Sequence, residues 1–177
     1  DLITAYTSSG ISGLGNEAIN VSSGSASTSQ ANTLAASTSG PVTATISDGD
    51  MATLAGLTET GNAYTITITD NSVAESALNN LAAKTNVAIN AANINTLTGS
   101  AADLNTAYAS SGISGLGNEA VTLSDTTLDA SVLNTLDGNT SGTINASAVT
   151  TITGTATDLI TAYTSSGISG LGNEAVT

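Results

Sequence analysis

Asp1-Leu-Ile-Thr-Ala-Tyr-Thr-Ser-Ser-Gly-Ile-Ser-Gly-Leu-Gly-Asn-Glu-Ala18 recurs without a change at 158–175, and a near copy occupies 103–120. Working outward from those copies, residues 66–120 align with 121–175 without a gap, and 30 of the 55 pairs are identical. Self-similarity at a fixed period is the signature of a repeat architecture, in which a unit too small to fold alone buries its apolar face against its neighbours. The chain 1–177 is therefore expected to be one slice of a repeat array, with irregular coils over 1–65 and 55-residue repeats at 66–120 and 121–175.

Six Ser/Thr-x-x-acid-or-amide patterns subdivide the array: Ser27 with Gln30, Ser47 with Asp50, Ser72 with Glu75, Ser100 with Asp103, Thr126 with Asp129 and Thr155 with Asp158. Each has the form of a capping box, which predicts a helix start, and Asp1 ends a seventh box cut in half. Downstream of the boxes stand Gly10, Gly40, Gly61, Asn86, Gly112, Gly142 and Gly167, residues suited to a left-handed helix stop. Leucines at helical spacing, such as Leu78 with Leu81 and Leu133 with Leu136, supply one narrow apolar stripe per segment. Between stops and boxes lie β-branched or alternating runs at 42–46, 64–69, 87–89, 94–97, 121–123 and 149–152, which read as strands. The predicted fold is an α/β solenoid of strand-turn-helix coils of about 27 residues, stacked in a right-handed, leucine-rich-repeat-like rod. The alternative is an all-β solenoid in which the helical segments are wide turns.

Composition narrows the partners. Fourteen carboxylates stand against Lys84 alone, with no Arg or His, for a net charge of -13. Phosphate binding needs clustered cations, so nucleic acid and anionic lipid surfaces are poor partners. No apolar run approaches the roughly 20 residues of a membrane span. Cysteine is absent, which removes disulfides and thiolate metal sites.

The same inventory argues against catalysis. A nucleophilic triad needs a His or a Cys, and neither exists here. Paired carboxylates could hydrolyse glycosides, but the acids have capping roles and aromatic platforms are missing. Tyr6, Tyr108 and Tyr163 share one repeat position on the helix stripe and are expected in the core. Gly10-Ile-Ser-Gly-Leu-Gly15 and its copies have the wrong order for a dinucleotide loop and read as a tight corner. Calcium is the one cofactor left open, because hard oxygen donors suit it, and Asp48, Asp50, Asp70 and Asp125 are the candidate ligands. Glu17, Glu119 and Glu174 recur in the Leu-Gly-Asn-Glu corner, where stacked carboxylates would repel unless solvated or bridged. Thr43-Ala-Thr45 and Thr65-Ile-Thr67-Ile-Thr69 suggest a flat ice- or crystal-binding ladder, although the triplets do not recur at one repeat phase.

The runs Val-Thr-Leu-Ser-Asp (121–125), Leu-Asn-Thr-Leu (133–136), Ala-Val-Thr-Thr-Ile-Thr-Gly (148–154) and Gly-Ile-Ser-Gly-Leu-Gly-Asn-Glu-Ala-Val-Thr (167–177) resemble tandem repeats of the giant cell-surface and extracellular proteins of marine cyanobacteria. The resemblance covers most of 66–177, and 19–65 departs from it through shorter spacings and Pro41. It implies a large secreted parent with roles in adhesion, motility or shielding, and it brings no catalytic residues. The expected function is a non-enzymatic structural segment forming an extended acidic rod or filament, with further copies of its own repeats as end-to-end partners. The alternatives are a calcium-dependent adhesin module binding a glycan or surface protein, and an ice- or crystal-surface binder.

Overall fold

Strands and helices alternate along the computed structural model, which describes residues 1–177. The first part of the chain forms α1 (Leu2–Tyr6), β1 (Ile19–Asn20), α2 (Thr28–Ala36), β2 (Val42–Thr45), α3 (Met51–Leu54), β3 (Ala63–Thr65), β4 (Ser72–Ala74), α4 (Glu75–Ala82) and β5 (Ile89–Asn90). It continues through β6 (Thr96–Gly99), α5 (Ala101–Ala109), β7 (Ile113–Ser114), β8 (Ala120–Leu123) and β9 (Thr127–Asp129). The last stretch holds α6 (Ala130–Asn139), β10 (Ile144–Asn145), β11 (Thr151–Thr153), α7 (Ala156–Thr164), β12 (Ile168–Ser169) and β13 (Ala175–Val176). Every strand pair is parallel, and the fold is α/β.

Helix starts follow the expected chemistry with a shift in three cases. Ser27 closes a complete capping box with Gln30, and Ser100 and Thr155 are the N-caps of α5 and α7. In α3 and α6 the acid of the pattern is itself the cap: Asp50 accepts from the Thr53 amide and Asp129 from the Ser131 amide, each at 2.9 Å. In α4 Glu75 is the first helical residue. A carboxylate accepts the free amides of the first turn and meets the positive end of the helix dipole, so it displaces Ser47 and Thr126 from the capping role.

Left-handed stops do not end the helices. Among Gly10, Gly40, Gly61, Asn86, Gly112, Gly142 and Gly167, only Gly61 has a positive φ, of 81°. α5, α6 and α7 instead run into extended Ser110, Thr140 and Ser165. Gly40 and Gly142 are required for room, because a Cβ at either would overlap the backbone carbonyl of Glu17 or Glu119.

Two compact units divide the chain. Asp1–Asp70, Asn79–Ala91 and Ser111–Ser114 form one; Asn71–Leu78, Ala92–Ser110 and Gly115–Thr177 form the other. In the first unit the sheet order is β1-β2-β3, with Ile19 beside Val42 and Ala44 beside Tyr64, and β5 pairs with β7. All four named side chains are buried. In the second unit a five-stranded sheet runs β12-β10-β8-β6-β4 and a three-stranded sheet runs β13-β11-β9.

The five-stranded sheet sets Val73, Leu97, Val121, Ile144 and Ile168 in one row, at steps of 24, 24, 23 and 24 residues. These register steps are shorter than the expected coil of about 27 residues. Leu97 to Leu128 is 31 residues and Leu128 to Ile152 is 24, which sum to the 55-residue repeat, and 27 is about half of that sum. The structural step is the shorter interval, and the Gly-Leu-Gly-Asn-Glu corner at 115–119 lengthens the other. One consequence is a change of partners: β4 and β6 precede their helices, whereas β10 and β12, in the same row, follow theirs.

α5 packs on α6 and α6 on α7. Their inward faces carry Ala101, Leu104 and Ala107, then Ala130, Leu133 and Leu136, but on α7 only Ala162 is buried. Helices of two or three turns are marginal in water, so their stability comes from burial of these stripes, about 1.5–3 kcal/mol for each fully buried leucine.

Candidate functional site

Acidic side chains are the only ionisable groups here in sufficient number to build a site, and the backbone claims them. Asp48 Oδ2 accepts from the Thr28 amide at 2.7 Å, Asp70 Oδ2 from the Met51 amide at 2.6 Å, and Asp125 Oδ2 from the Ala101 amide at 2.8 Å. Each therefore caps the first turn of a helix 19 to 24 residues earlier in the chain. Asp50 caps its own helix, where the Thr53 amide and hydroxyl hold its carboxyl below the usual range. The four calcium candidates thus stand at three helix starts, Asp48 at α2, Asp50 and Asp70 together at α3 and Asp125 at α5, and nowhere do three acids, His or Cys gather at metal-binding distance. Apart from Glu59, every carboxylate accepts a hydrogen bond from the chain itself.

The Gly-Asn-Glu corner is the most elaborate polar constellation. Glu119 is fully buried. Its Oε2 accepts from the Gly117 amide at 2.9 Å, the Asn118 amide at 3.2 Å and the Tyr108 hydroxyl at 2.9 Å. Gly117, at φ 140°, turns its N–H inward in a way an L-residue resists, so successive amides form a small anion-binding nest filled by the protein's own carboxylate. Glu17 repeats the arrangement with Gly15, Asn16 and Tyr6, and Glu174 with Gly172 and Tyr163. Each of the three carboxylates is met locally by backbone amides and a phenol hydroxyl. The Gly15 amide above all holds Glu17 below the ordinary carboxyl range. Partial desolvation opposes ionisation of Glu174, but the Gly172 and Glu174 amides and the Tyr163 hydroxyl outweigh it and its pKa is also lowered.

Tyr6, Tyr108 and Tyr163 correct the core expectation. They lie at the rim, with Tyr163 40% exposed, and use their hydroxyls to tie helix to corner. Partial burial, together with the adjacent carboxylate, pushes all three phenols up. The signal was present in the sequence, since each Tyr recurs eleven residues before its Glu.

A second polar element clamps the corner from outside. The Thr140 hydroxyl donates to the Glu119 carbonyl at 2.7 Å and the Ser141 amide to the Gly117 carbonyl at 2.9 Å. Thr38 and Ser39 do the same to Glu17 and Gly15, at 2.6 and 2.8 Å. Thr38-Ser39-Gly40 and Thr140-Ser141-Gly142 are thus one motif, with the glycine admitting the carbonyl. Thr85 continues the pattern by donating to the Tyr64 carbonyl at 2.8 Å.

Glu75 is the exception among the acids. It is buried, accepts from the Ser76 amide and faces Asp103. Burial first, and then the Asp103 charge, raises its pKa. A raised folded pKa gives stability that is complete below the unfolded value, about 4.3, and is lost as pH rises through the folded value. Glu75→Gln is therefore expected to melt above the parent protein at pH 7, with the gap shrinking towards pH 4; thermal scans at both pH values check this.

No family model matches the chain, and neither a curated protein nor a solved structure matches it. No helix is long and apolar enough to cross a membrane.

Proposed function

We propose that this chain is a non-enzymatic scaffold: a segment of an extracellular or cell-surface repeat protein whose strand-helix coils stack in a solenoid and hold an acidic rod away from the cell. The observation that carries this reading is the use to which the acids are put. Asp48, Asp70 and Asp125 each tie one segment to a helix 19 to 24 residues earlier, and Glu17, Glu119 and Glu174 are saturated by amides and a phenol. Groups engaged in this way hold the array together and are not free for substrate. The residual net charge of -13 keeps neighbouring rods apart and soluble.

Calcium separates this reading from a calcium-dependent adhesin. A ligand at a hundred times its Kd adds about 2.7 kcal/mol to stability. Melting temperature measured in millimolar Ca²⁺ and in excess chelator is expected to coincide. A rise of several degrees with Ca²⁺ would replace the scaffold with the adhesin.

The ice-binding alternative loses support at its own residues. Thr43 and Thr45 stand in β2 and Thr65 in β3, where Thr43 pairs with Ala63 and Thr45 with Thr65, so threonines meet at only one of the two positions.

A further inference from the structure

One carboxylate in this chain sits where its repeat counterpart places a methyl group. In the alignment of 66–120 with 121–175, Glu75 falls opposite Ala130, Gly99 opposite Gly154, Ser100 opposite Thr155 and Asp103 opposite Asp158. Glu75 and Ala130 are the first residues of α4 and α6, and both are buried. Gly154 faces the Ala130 methyl, whereas Gly99 lies so close to the Glu75 carboxyl that a Cβ there would overlap it. Ala130 shows that the fold closes this place without a charge; in that copy the acid stands one residue earlier, as the exposed cap Asp129. Glu75 is 6% exposed. Its carboxyl accepts from the Ser76 amide and reaches the Asp103 carboxyl on the first turn of α5. Asp103 in turn accepts from the hydroxyl of Ser100, the N-cap of α5, at 2.6 Å. No cation joins them: β4, β6 and the remainder of α4 carry no ionisable side chain, Asp125 meets α5 at the Ala101 amide, and Lys84 donates to the Thr58 carbonyl.

We propose that Glu75 and Asp103 form a proton-operated latch between the first turns of α4 and α5. A proton taken from water by Glu75 turns its carboxylate into a donor, and the new O–H bridges to the Asp103 carboxylate that Ser100 already holds in place. Loss of that proton sets two like charges side by side, one of them buried, with no cation to meet either. The latch is therefore closed in acid and loosened as pH rises. Burial first, and then the Asp103 charge, raises the Glu75 pKa, which agrees with that direction. A raised value in the folded chain gives stability that is complete below the unfolded value, about 4.3, and is lost as pH rises through the folded one. Glu17, Asp50, Asp129 and Glu174 run the other way, since their lowered values give stability that is lost as pH falls. The latch thus opposes the acid sensitivity of the caps and corners, and it tightens this junction under the conditions that weaken them.

A double-mutant cycle on the 177-residue chain, unfolded in urea at pH 4 and at pH 8, tests this. Glu75→Ala, which copies Ala130, is expected to be less stable than the parent protein at pH 4 and more stable at pH 8. A merely structural role would not reverse the order. The coupling of Glu75→Ala with Asp103→Asn is expected to change the unfolding constant by roughly fivefold or more, and to change sign between the two pH values. Carbon-13 NMR of the parent protein gives a second readout that needs no variant at Glu75. Its Glu75 carboxyl carbon is expected to titrate above the ordinary glutamate range and to move back towards it in Asp103→Asn. A Glu75→Ala effect of the same sign at both pH values overturns the proposal, as does a Glu75 carboxyl that titrates in the ordinary range or ignores Asp103→Asn. Neither result touches calcium-independent melting, on which the scaffold reading stands.

Discussion

Leu104→Ala is expected to cost about 2–5 kcal/mol, while Leu159→Ala, the same change at the same repeat position, costs about 1 kcal/mol or less. Both leucines follow the same Ala-x-Asp pattern, on α5 and on α7. Leu104 is fully buried, with α6 packed on its helix, whereas Leu159 stands on α7, where only Ala162 is buried, and is itself only partly covered. Deleting a buried isobutyl group removes its transfer free energy and leaves a cavity; deleting a partly wet one removes less and leaves no cavity. For a chain of this size each kcal/mol moves the midpoint by about 2–4 °C, so the two variants separate clearly in one thermal scan. Equal losses would mean that the segments are stable without a covering neighbour.

Glu119→Ala is expected to cost about 2–4 kcal/mol, because it strands the Gly117 and Asn118 amides and the Tyr108 hydroxyl in a corner closed over by Thr140 and Ser141. Glu174→Ala removes the same bonds where water can replace them, and its cost falls well below that. Urea titration of both variants measures the difference. Near-equal midpoints would show that the corner carboxylate contributes little to holding the segment.

Much of this fold was legible because capping and β-branching are local. The Ser/Thr-x-x-acid-or-amide patterns put α2 to α7 within three residues of their true starts, and the β-branched runs read at 42–46 and 121–123 overlap β2 and β8. Two-residue strands such as Ile113–Ser114 and Ile144–Asn145 were not legible, since two residues carry no periodicity and glycines stand close by, whereas the run at 87–89 overlaps β5 at Ile89. The strand register step was not legible for a different reason. Helix spacing averages the 24- and 31-residue intervals, and only the strand register of Leu97 with Val121 separates them. At the candidate site, acidity identified Asp48, Asp70 and Asp125 but not their use, whereas the local pattern already gave Asp50 a capping role at its own helix. Whether a carboxylate meets a metal or a helix amide depends on a segment 19 to 24 residues away, which local sequence does not encode.

The claim beneath these expectations is that a segment becomes stable when the next one covers it. Native-state hydrogen exchange reads this directly, because the chain contains its own control. Amides of 103–121 are expected to exchange only through global unfolding, and those of the matching 158–176 orders of magnitude faster, through local opening. Equal protection of Val121 and Val176, and of Gly117 and Gly172, would contradict it.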